Sequence, residues 1–317
     1  MTAKVVVTKK IPDAGLDLLR EKFDVVIIDP ADERFEAELQ DATYLVPLLS
    51  HTIDKALLNK APRLKLVANY AVGYNNIDVQ AAKELSIAVT NTPGVLTDST
   101  ADLTWALLLS LTRRIVEGDA ICRTKDWEWG PEFLLGTELS DLTLGIVGMG
   151  RIGTAVARRA FGFGMKVIYH SQTRKPDLEE SLNVRYVGLD ELLEIADVVS
   201  LHLPYNAHTH HLIDSDALGH MKESAYLINT ARGRHIDEEA LVNALRDKKI
   251  AGAGLDVFYD EPVINEGLKE LSSVVMTPHV GSATHRARGA MAKIVATNII
   301  AHSEGRPLPH LVPELTD

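Results

Sequence analysis

Two doubly wound parallel-sheet α/β domains, one inserted into the other, are what this sequence predicts. Three observations lead there. Short β-branched runs alternate with amphipathic stretches along the whole chain, the rhythm of a parallel sheet covered by helices. A buried-strand pattern, Leu142 to Val147, leads directly into Gly148-Met149-Gly150-Arg151-Ile152-Gly153. The length of 317 residues exceeds one ordinary domain but suits two, each with its own core.

In chain order, Val5 to Val7, Val25 to Ile28, Tyr44 to Val46, Leu66 to Ala68 and Ile87 to Val89 read as strands. Helical patterns such as Leu16, Leu18 and Leu19, or Ala56 and Leu57, lie between them. Asn91-Thr92-Pro93-Gly94 is a turn, and Asp98-Ser99 followed by Asp102 reads as a capped start for a helix over Thr100 to Arg113. A second series follows, with strands at Leu144 to Val147, Lys166 to Tyr169, Val198 to Leu201, Tyr226 to Asn229, Gly254 to Val257 and Val274 to Met276, and a last helix at Ala287 to Ala301. The expected layout is residues 1–98 and 287–317 in one domain and 99–286 in the other, with crossings at Ser99 and near Arg286.

Composition narrows the function classes. A formal net charge of −11, with no dense Lys/Arg block, argues against a nucleic-acid partner. The N-terminus lacks a leader pattern, and the apolar stretch around Trp105 to Leu109 falls far short of the roughly 20 residues that span a bilayer. Cys122 is the only cysteine, which excludes an intrachain disulfide and fits a reducing cytoplasm. His208, His210 and His211 lack a further ligand at a fitting spacing, so they read as a loop and no metal is expected. Trp127 and Trp129, beside Gly130 and Pro131, suit either an anchor between subunits or local core packing.

The glycine run is the signature of a dinucleotide site in a Rossmann domain. Gly148 permits the tight turn, Gly150 lets the backbone reach a pyrophosphate, and Gly153 lets helix and strand pack closely. The free N–H groups at the start of the helix Ile152 to Ala160 then meet the phosphate charge. The adenosine ribose partner is expected roughly 20 residues on. There the chain reads His170-Ser171-Gln172-Thr173-Arg174-Lys175, with no carboxylate before Asp177. Hydroxyls at Ser171 and Thr173 and the charge of Arg174 or Lys175 suit a 2′-phosphate, so NADP(H) is favoured, with NAD(H) as the alternative.

Reduction of a ketone needs a hydride donor, a proton donor at the oxygen, and positive charge to polarise the carbonyl. His279, in Thr277-Pro278-His279-Val280-Gly281-Ser282, follows an apolar strand and suits the proton step, with Gly281 letting backbone approach a cofactor. Glu261, between Asp260 and Pro262, is the chosen carboxylate partner of the imidazole. Arg232, in Asn229-Thr230-Ala231-Arg232-Gly233, has the fork to span a substrate carboxylate and the adjacent keto oxygen.

At these residues the sequence resembles the D-isomer-specific 2-hydroxyacid dehydrogenases, and within them the glyoxylate/hydroxypyruvate reductase branch. The resemblance also runs through Tyr70-Ala71-Val72-Gly73-Tyr74-Asn75-Asn76-Ile77-Asp78, the run Ala196 to Pro204, Gly254-Leu255-Asp256-Val257-Phe258 and, for the branch, Trp129 to Gly136 and Tyr169 to Lys175. It implies a flavodoxin-like substrate domain from the outer segments, a central coenzyme domain and a homodimer formed largely by coenzyme domains. It further implies Arg232 as the substrate-polarising residue, Glu261 as partner to the base and His279 as proton donor, with backbone at Ala71, Val72 and Gly73 on the substrate carboxylate. Around the cofactor it implies Thr100, Met149 to Ile152, Ser171 to Thr173, Thr230, Ala231 and Asp256. Phe133 would be the position from which a neighbouring subunit limits substrate size. Where NADP-using relatives often carry Arg after the Ser, this chain has Gln172. The implied activity is NAD(P)H-dependent reduction of glyoxylate or hydroxypyruvate; a 2-ketogluconate-type reductase and a nucleotide-sensing corepressor-like protein are the alternatives.

Overall fold

The β-branched runs form twelve strands among the described residues of this computed structural model, which are 2–124 and 127–315. Met1, Thr316 and Asp317, the ends of the expected outer domain, lie outside them, as do Lys125 and Asp126. The chain divides into two compact units, Met1–Leu96 with Ser282–Asp317, and Thr97–Gly281.

In the first unit, β1 (Lys4–Val7), β2 (Asp24–Ile27), β3 (Ala42–Val46), β4 (Leu66–Ala68) and β5 (Ala88–Thr90) form an all-parallel sheet in the order β2-β1-β3-β4-β5. That is the flavodoxin-like strand order. Successive side chains of a strand face opposite sides, so Val5 and Val7 enter one core with Leu16, Leu19 and Ile299, while Val6 enters another with Leu39, Leu45 and Val67. Helices on both faces are why the strands read as unbroken apolar runs rather than alternating ones. The returning helix His285–Ser303 packs on the helix Asp13–Arg20 at Gly15, where a Cβ would come within 2.2 Å of the Ala292 carbonyl oxygen.

In the second unit, β6 (Thr143–Val147), β7 (Lys166–His170), β8 (Arg185–Tyr186), β9 (Val198–Leu201), β10 (Tyr226–Asn229), β11 (Gly252–Leu255) and β12 (Val274–Met276) form a parallel sheet in the order β12-β11-β10-β9-β6-β7-β8. Read from the other edge this is the Rossmann order extended by one strand, and it reverses direction between β6 and β9. Strand β8 is two residues long at the sheet edge, too short to carry a period, and the sequence reading missed it. Strand β11 starts two residues before the expected Gly254: Gly252 and Gly254 disfavour a strand by propensity, yet Gly254 sits where a Cβ would be 2.9 Å from Ile228 and 3.1 Å from Leu107. The packed helix is Thr97–Thr112, which begins ahead of the expected Thr100 and includes Asp98 and Ser99 in its first turn.

Candidate active site

The nucleotide loop follows β6. Gly148 adopts φ of +102°, a conformation that favours glycine, and a Cβ there would meet the His202 carbonyl carbon and oxygen at 2.7 Å. Gly153 lies so close to the strand end that a Cβ would come within 2.2 Å of the Gly148 oxygen. Gly150 differs: nothing lies within 4 Å of where its Cβ would be, and it is the residue preceding the helix Arg151–Ala160. Open space beside that glycine, at the positive end of a helix whose first N–H groups lack intrahelical acceptors, fits a pyrophosphate. Met149 is buried in the core, Ile152 is half-buried and Arg151 is exposed.

His202, which the sequence reading did not single out, adds to that fit. Its Nε2 pairs with Ser200 Oγ at 2.8 Å, while its buried Nδ1 has no partner among the described residues. Burial pushes its pKa down to about 3, so the ring is neutral and keeps an unspent polar atom on the residue whose backbone borders the Gly148 turn.

At the ends of β10, β11 and β12 the structure gathers the proposed chemical residues. His279 Nδ1 lies 2.7 Å from Glu261 Oε2, and Glu261 Oε1 accepts the Phe258 N–H at 3.0 Å. Burial pushes the Glu261 pKa up, but the His279 hydrogen bond and charge, the Phe258 N–H and the Arg232 charge together bring it below the ordinary carboxylate value. His279 itself has φ of +51°, a backbone conformation uncommon for a residue other than glycine, found where surroundings over-determine it. Asp256 provides those surroundings. Its Oδ1 accepts from Thr277 Oγ1 at 2.6 Å and the Val280 N–H at 2.8 Å, its Oδ2 accepts the Gly281 N–H at 2.8 Å, and its carbonyl accepts the His279 N–H at 2.8 Å. Expected at the cofactor by resemblance, Asp256 is thus placed as the anchor of the histidine turn, and Thr100 Oγ1 donates to the Gly281 carbonyl at 3.3 Å.

Arg232 follows β10. Asn229 shapes its turn, Nδ2 donating to the Arg232 carbonyl at 2.8 Å and Oδ1 accepting the Ala231 N–H at 3.0 Å. The next residue, Gly233, packs against the loop that leads to Glu261, with room for no Cβ beside the Phe258 carbonyl carbon at 1.9 Å. One guanidinium nitrogen donates to the Ala231 carbonyl at 2.6 Å. Burial lowers the Arg232 pKa, and the Glu261 charge acts against that shift. Two further residues brace this turn and were missed from sequence. Thr104 Oγ1 lies 3.0 Å from Thr230 Oγ1, and the fully buried His235 has Nδ1 3.0 Å from the Thr209 carbonyl and Nε2 3.2 Å from the Leu203 carbonyl.

The residues after β7 are arranged around a carboxylate rather than left free. Arg174 Nε and Nη2 donate to Glu179 at 2.8 and 2.6 Å, and Ser171 Oγ donates to the Thr173 carbonyl at 2.7 Å. Gln172 and Thr173 are exposed. Glu179 also accepts from Tyr169 at 2.7 Å; the bonds from Arg174 and then Tyr169 bring its pKa down to about 2.

In the first unit, the carbonyls of the Ala71–Gly73 segment are all drawn inward. Thr92 N–H donates to Ala71 at 2.9 Å, Asn91 Nδ2 to Val72 at 2.7 Å and Asn69 Nδ2 to Gly73 at 2.9 Å. No N–H of Ala71, Val72 or Gly73 has a protein acceptor among the described residues. A loop with its carbonyls tied back and its N–H groups unspent suits an anion. Asn69 and Asn91 are the positioning residues here, legible only once β4 and β5 are neighbours.

Trp127 and Trp129 are 52% and 76% exposed, which removes core packing as their role, and Trp127 stacks on Phe133 with centroids 6.4 Å apart. Among the described residues no group of three or more His, Cys, Asp or Glu side chains could hold a metal, and no helix is long and apolar enough to cross a membrane. His210 pairs with Tyr205 at 3.1 Å and stacks on His211.

Comparison with known proteins bears on this arrangement. Residues 105–281 match the family model described as the D-isomer specific 2-hydroxyacid dehydrogenase, NAD binding domain. The chain is 48% identical over 322 residues to a glyoxylate reductase of Thermococcus litoralis, covering 98% of this chain and 97% of that protein. Its fold matches the NADPH-dependent glyoxylate/hydroxypyruvate reductase of Sinorhizobium meliloti, solved with NADP and malonate, at a TM-score of 0.90 and 35% identity over 99% of this chain and 98% of that one. It also matches the D-lactate dehydrogenase of Aquifex aeolicus, solved with NAD and lactic acid, at a TM-score of 0.89 and 31% identity over 98% of each chain.

Proposed function

Because the chain belongs to the D-isomer specific 2-hydroxyacid dehydrogenase family, we propose that it reduces the small 2-keto acids glyoxylate and hydroxypyruvate to glycolate and D-glycerate. It is an oxidoreductase that takes a nicotinamide cofactor. When bound, that cofactor supplies a hydride to the keto carbon. The chain's own residues do the rest. Arg232 spans carboxylate and keto oxygen and stabilises the negative charge that develops there. His279 delivers the proton to that oxygen, so that hydride and proton together convert the carbonyl to an alcohol. Glu261 holds Nδ1, which leaves Nε2 to carry the transferable proton. The backbone N–H groups of Ala71, Val72 and Gly73 are assigned to the substrate carboxylate. The observation that carries the reading is the His279–Glu261 contact of 2.7 Å on a turn braced by Asp256.

Residues 99–286 are assigned as the coenzyme domain, and 1–98 with 287–317 as the substrate domain. For the cofactor we favour NADP(H), supported by the hydroxyls of Ser171 and Thr173, the guanidinium of Arg174 and a sequence that carries no carboxylate from His170 to Lys175. A steady-state panel of glyoxylate, hydroxypyruvate, pyruvate and 2-ketogluconate with NADPH and NADH tests both parts. The expected outcome is the highest kcat/KM for glyoxylate or hydroxypyruvate with NADPH. A preference for 2-ketogluconate would move the chain to the gluconate-type reductases. Tight nucleotide binding without keto-acid-dependent NADPH consumption would favour the corepressor-like alternative.

The working unit is proposed to be a cytoplasmic homodimer. The helix Ile115–Thr124 buries none of its residues in the chain, and Ile115, Val116, Trp127, Trp129 and Leu135 are exposed together in sequence, more apolar surface than scattered single residues explain. Cys122, exposed on that helix, fits a reducing compartment. Trp129→Arg is expected to shift sedimentation toward monomer; a wild type that already sediments as a monomer would remove the dimer.

A further inference from the structure

We propose that Glu179 sets how strongly the enzyme prefers NADPH over NADH, by neutralising the arginine in the loop after β7. The inference rests on the reading of Arg174 as a partner of the cofactor's 2′-phosphate.

The carboxylate is built into the sheet. Tyr169 on β7 is fully buried; its hydroxyl donates to Glu179 at 2.7 Å and accepts the Lys175 N–H at 2.7 Å. That arrangement fixes the first helical turn of Pro176–Leu182 against the strand. The Glu179 side chain is 17% exposed, whereas that of Arg174, which it grips through Nε and Nη2, is 64% exposed. Arg174 also lies over the Tyr186 ring at 5.9 Å. A guanidinium has five N–H donors, so this grip leaves some of them for an incoming ligand. What it removes is net charge.

A phosphate monoester carries close to two negative charges at neutral pH. Approaching Arg174 it meets an ion pair whose charges cancel, with the carboxylate opposing its entry. The ribose of NADH has no such charge, so Glu179 acts on one coenzyme and hardly on the other. Gln172, where a second cation would compensate, supplies none, which leaves Lys175 as the other cation of the loop.

Charge and geometry separate in three variants, each assayed with both coenzymes on one preparation so that any loss of folded protein cancels in the ratio. Glu179→Gln keeps an acceptor for Arg174 and Tyr169 and removes the charge. It is expected to raise the ratio of kcat/KM for NADPH to that for NADH by about three- to tenfold at low salt, and the gain should shrink as ionic strength rises toward about 1 M, where charges are screened within about 3 Å. Arg174→Ala is expected to lower the ratio by about tenfold, as loss of a charge-assisted phosphate contact requires. If Glu179 only positions Arg174, Glu179→Gln leaves the ratio unchanged while Glu179→Ala lowers it, and the inference is overturned. An unchanged ratio in Arg174→Ala would instead remove the 2′-phosphate reading itself.

Discussion

Replacing His279 by Gln lowers the rate of keto-acid reduction by about 100-fold or more, roughly 2.7 kcal/mol of transition-state stabilisation, because general-acid catalysis is lost. Glutamine keeps a polar group near Glu261 but has no proton to give at neutral pH. Since His279 stands on a turn fixed by Asp256 rather than on the glycine loop, cofactor affinity measured by fluorescence titration should stay within a few fold. A near-normal rate would remove His279 from the proton step. Glu261→Gln should lower the rate less, because the imidazole keeps a partner and loses only its counter-charge. The sign of the pH effect follows from the lowered Glu261 pKa. A carboxylate held below its unfolded value of about 4.3 contributes stability fully above that value, and the contribution is lost as pH falls through the folded one. Glu261→Gln is therefore expected to cost stability at neutral pH and to differ little from wild type in strong acid.

The second large effect is expected at Arg232. Arg232→Lys should reduce kcat/KM for glyoxylate by about 100-fold, since an ammonium is a point charge that cannot span carboxylate and carbonyl together. Burial adds to the loss. It already lowers the Arg232 pKa, yet a guanidinium remains charged in proteins, whereas a buried lysine readily gives up its proton. Both kcat and KM should suffer, because the fork serves binding and polarisation alike. Full activity in Arg232→Lys would sink bidentate recognition.

The fold was legible because parallel strands buried on both faces leave long apolar runs, and such runs need no partner to be seen. The nucleotide loop was legible for a related reason: Gly148 and Gly153 are demanded by contacts within one strand-turn-helix unit. The two-residue β8 and the glycine-containing β11 were not, since one is too short for a period and the other gains its place from Ile228 and Leu107, far away in sequence. The flavodoxin-like order of the first sheet is likewise a matter of pairing, which periodicity does not encode.

The candidate site divides along the same line. Arg232, Glu261 and His279 stand out in the sequence because each follows an apolar strand at a turn. Their supports did not: Asp256 as anchor of the histidine turn, Asn69 and Asn91 behind the Ala71–Gly73 loop, Thr104 and His235 braced near Arg232, and Glu179 on Arg174. Composition and local pattern determined the α/β class, the dinucleotide signature and the residues with the right chemistry. Tertiary structure alone decided the supporting partners, such as Glu179 on Arg174 and Asp256 on the histidine turn. A side chain's type is a property of one position, while its partner, burial and charge balance depend on strands that become neighbours only when the sheet forms.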